Sequence, residues 1–311
     1  MSAPPLPAAV TLGTRASALA RAQTALVVEL LTAAQPALEC ETKVIATVGD
    51  RTQASGEPLP EIGGKGLFTA ELERALAEGD IDLAVHSLKD LPTEDAPGVV
   101  IGAVCAREDV RDCVVSRDRR PLVGLPDGAV VGTSSLRRVA QVRRRWRGLE
   151  ARSIRGNVDT RIRKVHDGEF DAVVLAAAGV RRLGLDDEVA EWLPVETMLP
   201  APGQGALAVQ CRADDPVLRL LAAIDDPAAR ATTTAERAFL RELRAGCTAP
   251  VGAFARVAEA QIVQLDVLVA SPDGRDTVEV SGVGEPDEVG RRVAHNALES
   301  GAGRILAAIR G

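Results

Sequence analysis

The stretch Gly132-Thr133-Ser134-Ser135-Leu136-Arg137-Arg138 concentrates groups that can hold an anion. A strand end running into a helix start leaves main-chain N–H groups unpaired, and the helix dipole favours negative charge at the same spot. Hydroxyls of Thr133 and Ser135 stand beside them, and Arg137 and Arg138 add charge. A second cluster, Arg155-Gly156-Asn157-Val158-Asp159-Thr160-Arg161, sets two more guanidinium groups around a glycine turn and another helix start. Planar guanidinium forks match carboxylate or phosphate, so both clusters suit an oxyanion ligand.

The charge distribution points the same way. From Arg137 to Lys164 there are ten Arg and one Lys against only Glu150 and Asp159, in a chain of formal net charge −7. Arg143, Arg144, Arg145 and Arg147 suit a solvated basic face, whereas Arg137, Arg138, Arg155 and Arg161, beside turns and helix starts, suit a ligand role or a solvated face equally. Nucleic acid is the competing partner for a basic block. Trp146 is the only aromatic within it, so platforms for stacking bases are lacking.

Three other segments carry reactive residue types. Ile81 to Pro92 reads as a strand running out into a polar loop, and ligands of open α/β sheets lie at the carboxyl ends of strands. Lys89 and Asp90 in that loop are either a surface ion pair or a functional couple. In the second case the carboxylate stabilises a developing cation or passes a proton, and the lysine holds a substrate anion. No metal site is expected: Asp82, His86 and Asp90 share a face only in a helix, which Pro92 and the alternation disfavour, and the three histidines are unpaired. Gly63-Gly64-Lys65-Gly66-Leu67-Phe68 departs from the Walker A pattern, because Leu59 stands five before Gly64 and Gly66 follows Lys65. It reads as a linker or as a glycine-hinged flap whose Lys65 or Phe68 can reach a ligand. Cys247 lies at a helix exit between Gly246 and Pro250, either as a buried structural thiol or as a nucleophile or attachment point. Cys105 and Cys211 sit within apolar strands as small core residues.

The elements that must position these residues alternate. Ser17 caps a helix whose Leu19, Ala22, Leu26 and Leu30 are at helical spacing, and further helices are read at Leu67 to Glu78 and Leu136 to Arg145. Strands are read near Thr11 and at Lys43 to Val48, Ile81 to Val85, Val99 to Val104, Ala129 to Val131, Ala172 to Ala176 and Ala206 to Gln210. Such alternation predicts mainly parallel sheets with helices on both faces. After about Asp226 the pattern changes: a helix from Thr233 to Arg244, an antiparallel pair at Ala260 to Ala270 and Thr277 to Val283, and a helix from Glu288 to Ile309 interrupted near Gly301 and Gly303. A chain of 311 residues is expected to form two or three domains. Its 46% hydrophobic and 26% charged residues are those of a globular protein, with aliphatic packing because aromatics are only 2%. No stretch reaches the roughly 18 apolar residues of a membrane span, the amino terminus lacks an export signal, and five cysteines without a CxxC pair argue for reduced thiols. A soluble, unexported protein is expected.

Taken in order, Gly13-Thr14-Arg15-Ala16-Ser17, Gly63 to Phe68, His86-Ser87-Leu88-Lys89-Asp90, Thr133 to Arg138, Arg155-Gly156-Asn157, Leu199-Pro200-Ala201-Pro202-Gly203-Gln204-Gly205 and Gly246-Cys247 resemble the motifs of the porphobilinogen deaminase (hydroxymethylbilane synthase) family. The resemblance is strong from about Val10 to Val251 and more diffuse beyond. It implies two doubly wound α/β lobes resembling type II periplasmic binding proteins, residues 8–105 with 206–224 and residues 111–199, plus a smaller C-terminal α+β domain over 228–311. It implies a transferase that joins four porphobilinogen molecules head to tail with loss of ammonia and releases hydroxymethylbilane. The primer would be a dipyrromethane cofactor in thioether linkage to Cys247. Asp90 would be the catalytic carboxylate, stabilising the cationic azafulvene, with Lys89 beside it. Ser17, Lys89, Asp90, Thr133, Ser135, Arg137, Arg138, Arg155 and Gly156 would bind the cofactor. Arg15, Ser17, Lys65, Phe68, Arg155, Arg161 and Gln204 would bind substrate. A cytoplasmic monomer, with porphobilinogen as its partner and neither nucleic acid nor membrane, completes the expectation.

Overall fold

The computed structural model describes residues 6–47, 69–246, 249–259 and 261–310. Among these, the strands in chain order are β1 (Ala9–Thr14), β2 (Glu39–Val44), β3 (Leu83–Ser87), β4 (Val99–Val104), β5 (Asp112–Ser116), β6 (Val130–Gly132), β7 (Glu150–Arg152), β8 (Ala172–Ala176), β9 (Glu191–Leu193) and β10 (Leu207–Arg212). Three longer ones follow, β11 (Val251–Glu259), β12 (Ile262–Ala270) and β13 (Thr277–Gly284). Contacts divide the chain into two compact units, Met1–Arg107 with Ala206–Arg230 and Glu108–Gly205 with Ala231–Gly311. No described helix is long and apolar enough to cross a membrane.

The first unit is built on a sheet of order β2-β1-β3-β10-β4. β1 runs parallel to β2 and β3, while β10 is antiparallel to β3 and β4. Ser17, in extended conformation, caps the helix Ala18–Ala34 by accepting a bond from the Ala20 amide at 3.2 Å. That helix buries Ala20, Gln23, Thr24, Val27 and Leu31, one face at helical spacing, against the sheet. The opposite face of the sheet is covered by the helix Ala70–Glu78 through Leu72 and Leu76.

The second unit contains a sheet of order β7-β6-β8-β5-β9 and a three-stranded sheet β11-β12-β13. In the larger sheet β6 is parallel to β7 and β8, and β5 is antiparallel to β8 and β9. Cys113, Val115, Val173 and Leu175 enter one core layer, and Val114, Val131, Ala172 and Val174 the other, which is why these strands read as unbroken apolar runs. The smaller sheet is antiparallel throughout and packs one face on the helices Pro227–Glu242, Pro286–Glu299 and Ala302–Arg310. Its β12–β13 turn reaches the helix Leu136–Arg145: Gly274, at φ +73°, lies so close that a Cβ would stand 2.6 Å from the Ala140 carbonyl oxygen. Arg143 donates to the Pro272 carbonyl at 3.0 Å and Arg144 pairs with Glu279, so these exposed arginines tie the small sheet in place rather than forming only a solvated face.

Both five-stranded sheets are mainly parallel, as expected, but each has one reversed strand, β10 or β5, and that strand is the first after the chain passes from one unit to the other. No crossover helix precedes it, so the rule that ties alternating helices to parallel strands does not apply there. The C-terminal sheet has three strands instead of a pair, because β11 was not distinguishable from the loop after Cys247. Observed limits differ by a few residues elsewhere, Glu39–Val44 for the strand expected over Lys43 to Val48 and Pro227–Glu242 for the helix expected over Thr233 to Arg244.

Two structural consequences are measurable. Gly290 lets the helix Pro286–Glu299 approach its neighbour so closely that a Cβ would lie 2.5 Å from the Ala235 carbonyl oxygen and 2.6 Å from the Ala238 Cβ. Gly290→Ala is therefore expected to lower stability by about 1–3 kcal/mol in urea unfolding despite alanine's better helix propensity; an unchanged midpoint would contradict so close an approach. His86 of β3 is buried, and burial first, then the charge of Arg15, hold its pKa down to about 4 against a smaller opposing effect of the Gln210 hydrogen bond. The unfolded chain takes up this proton near 6.5, so stability is full above that pH and falls as pH drops toward 4, by up to ~1.4 kcal/mol per unit. His86→Gln should remove that slope, read as the difference in unfolding free energy between parent and variant from pH 7 to 4.

Candidate functional site

In the first unit the candidate residues follow the carboxyl ends of two adjacent parallel strands. Leu12 of β1 pairs with Leu83 of β3, so Thr14 and Ser87 end on the same edge of the sheet. Arg15 and Ser17 leave that edge from β1, and Lys89 and Asp90 leave it from β3 in a single 3-10 turn, Leu88–Asp90. The turn is held by its apolar members: Leu88 and Leu91 are buried with Val104, Ala206 and Ala208, and the Leu88 amide donates to the Ala206 carbonyl at 3.0 Å. That anchoring leaves Lys89 half-buried and Asp90 exposed. The Gln23 side-chain amide donates to the Ser87 hydroxyl at 2.8 Å, tying the capped helix to the end of β3. The edge thus offers two cationic side chains and one accessible carboxylate.

The second unit repeats the arrangement with more charge. β6 ends at Gly132 beside Arg152 of the parallel β7, and the loops that follow are joined by Ser134, whose hydroxyl donates to the Ile154 carbonyl at 2.6 Å and accepts from the Ile154 amide at 3.2 Å. Thr133 is buried, and Ser135 sits at the N-cap of the helix Leu136–Arg145 with no side-chain capping bond, so its hydroxyl is not committed to the helix end. Gly156 adopts φ +114°, a conformation open to glycine, and its carbonyl accepts from Arg161 Nε at 2.7 Å. Arg155 is exposed on this turn.

Arg137 and Arg138 are placed differently from the other arginines. They are 3% and 6% exposed, and both pair with Asp112, which is fully buried at the start of β5. Arg137 Nη1 lies 2.7 Å from Asp112 Oδ2 and Arg138 Nη2 lies 2.8 Å from Oδ1. The remaining bonds run to main-chain carbonyls, of Leu199 from Arg137 at 2.7 Å and of Val174 from Arg138 at 2.9 Å. Burial alone would raise the Asp112 pKa, but the two guanidinium groups outweigh it and hold the carboxyl well below the usual range. Gln204, also expected near the site, donates to Asp112 Oδ1 at 2.9 Å and to the Val110 carbonyl at 2.7 Å. Asp112 was missed by sequence reasoning; the available signal was a carboxylate opening the apolar run Cys113-Val114-Val115.

These donors suit a ligand rich in carboxylates. Nε of Arg137 and Nε of Arg138 are buried with no hydrogen-bond partner, so the cluster retains unused donor capacity. Lys65, Phe68 and Cys247 lie outside the described residues. Of the other cysteines, Cys105, Cys113 and Cys211 are buried, with burial pushing the Cys113 thiol up to about 12 and that of Cys211 to about 11, and Cys40 is half-buried with its pKa raised for the same reason. No group of His, Cys, Asp and Glu suited to a metal ion occurs among the described residues.

Comparison with known proteins places the chain in a family. Residues 10–219 match the family model "Porphobilinogen deaminase, dipyromethane cofactor binding domain", and residues 230–299 match "Porphobilinogen deaminase, C-terminal domain". Curated porphobilinogen deaminases of Brevibacillus brevis and Mycobacterium leprae are each 46% identical, over 299 and 310 residues, covering 96% of this chain and 96% of each relative. That of Desulforudis audaxviator is 48% identical over 305 residues, covering 97% of this chain and 98% of its own. Among solved structures, the effector-binding domain of BenM with benzoate superposes with a TM-score of 0.40 at 16% identity, covering 71% of this chain and 91% of that one. With two family models spanning most of its length and relatives near half identity, this chain belongs to the porphobilinogen deaminase family.

Proposed function

We propose that the chain joins four porphobilinogen molecules head to tail, releasing ammonia, on a dipyrromethane primer held in thioether linkage at Cys247, and then hydrolyses off hydroxymethylbilane. The observation that carries this reading is the pair of family matches over residues 10–219 and 230–299. Bound dipyrromethane supplies the pyrrole carbon to which the first substrate is joined. Each pyrrole ring brings two carboxylates, and what the chain's residues supply is a set of donors for them.

In the first unit Arg15, Ser17 and Lys89 take carboxylates of primer and substrate at the edge formed by β1 and β3. Asp90, the exposed carboxylate there, supports positive charge on the pyrrole as ammonia leaves and acts as its proton acceptor. In the second unit Thr133, Ser135, Arg155 and Gly156 hold primer carboxylates at the helix start, with Arg137 and Arg138 supplying charge from beneath. Arg161 and Gln204 shape those loops on the substrate side, and Lys65 and Phe68 join the substrate residues by family resemblance alone. Cys247 is taken as the tether by family resemblance, and Cys113 and Cys211 are unsuited to that task because they are buried with their thiol pKa values raised. We assign the enzyme to the cytoplasm as a monomer whose partner is porphobilinogen, with neither nucleic acid nor membrane.

Asp90→Asn should keep the primer, seen in the intact mass, while turnover falls by about 10²–10⁴-fold; normal product formation would remove Asp90 from the chemistry. Cys247→Ala should give folded protein without the pyrrole adduct or its absorbance. A full adduct on that variant would place the tether at another residue.

A further inference from the structure

The Asp112 cluster does not balance. Two guanidinium groups and one carboxylate leave one positive charge, and among the described residues no second carboxylate pairs with Arg137 or Arg138. Uncompensated buried charge is costly, and a cluster serving the fold alone gains nothing from keeping it. Its position is also specific. Because β5 runs antiparallel to β8, Asp112 lies opposite Ala176, the last residue of β8, and therefore at the carboxyl edge where parallel β6 ends at Gly132. Arg137 and Arg138 fall in the first turn of the helix that begins after Ser135, so the unspent charge sits under the free amides of that turn. Both guanidinium groups are held by Asp112 together with a main-chain carbonyl, Leu199 for Arg137 and Val174 for Arg138, and both keep an Nε–H without an acceptor.

We propose that Asp112 is a positioning residue for pyrrole carboxylates: without touching the ligand, it locks Arg137 and Arg138 beneath the Thr133–Ser135 loop so that the loop presents one uncompensated positive charge to one carboxylate. Gln204 holds Asp112 Oδ1 from the other side and keeps that carboxylate from turning. Without the shared acceptor, two like charges repel and neither guanidinium keeps its orientation. The inference rests on the reading that this loop binds primer or substrate carboxylates.

The test compares Asp112→Asn with Ser135→Ala in the full chain, by intact mass for the primer, steady-state kinetics with porphobilinogen, and thermal unfolding. Asp112→Asn is expected to lower the fraction carrying primer and to raise KM about tenfold with kcat changed less than about threefold, as lost ground-state binding requires. A variant that only melts earlier, with primer content and KM of the folded protein unchanged, overturns the positioning role. Ser135→Ala with neither primer content nor KM altered overturns the loop reading, and the inference with it. Ser135→Ala impaired beside a normal Asp112→Asn overturns the inference alone. If Asp112→Asn does not accumulate, the parent protein labelled with ¹⁵N-arginine decides. The Nε–H signals of Arg137 and Arg138 should be protected from solvent before and after primer loading and should shift on loading. Loss of protection on loading, or no shift, overturns the proposal.

Discussion

A buried guanidinium group needs a fixed counter-ion, and in the second unit one buried aspartate, shared between two arginines, supplies it. Asp112 sits on the strand that reverses direction in its sheet, which is what brings a strand's first residue to the edge where its neighbours finish. Had β5 run parallel to β8, position 112 would lie at the opposite edge, and Arg137 and Arg138 would have no counter-ion within reach. The reversal in turn follows from the chain's route: β5 begins just after the passage into the second unit and has no helix in front of it to impose a parallel crossover.

The first unit solves the same problem with less burial. Its edge residues Arg15, Lys89 and Asp90 follow two local anchors, the Ser17 cap on one side and the apolar pair Leu88 and Leu91 on the other. A turn pinned by two leucines that leaves the residues between them partly or fully exposed is a way of presenting charge without paying its desolvation. The Leu88–Asp90 turn is thus placed by packing of neighbouring apolar residues, and Arg137 and Arg138 by a buried counter-ion.

Much of this was legible in the residues. The Ser17 cap, the helix over Leu136 to Arg145, the strand-to-loop passage at Ser87 and the break between the two last helices near Gly301 follow from spacing, capping and glycine alone, and the structure reproduces them. What escaped was tertiary. Arg137 and Arg138 carry the same local signature as Arg155, yet the first two are buried and the third is exposed, because only the first two face the end of β5. Arg143 and Arg144 looked like a solvated face, and their partners, the Pro272 carbonyl and Glu279, are more than a hundred residues away in sequence. No local pattern encodes partners so distant.

Asp90 and Asp112 show how environment assigns opposite tasks to one side chain. Asp112 accepts three short hydrogen bonds, from two cations and an amide, and is shut off from solvent, so its charge is committed within the protein and no reacting group can reach it. Asp90 stands exposed at the end of the turn Leu88–Asp90, so its carboxylate is open to a ligand. A group that must favour a transient cation cannot already be neutralised by permanent ones, since the stabilisation it offers is the difference between its interactions before and during the reaction. On that ground the exposed aspartate is suited to the chemistry and the buried one, its carboxyl held ionised by two guanidinium groups, to holding the arginines.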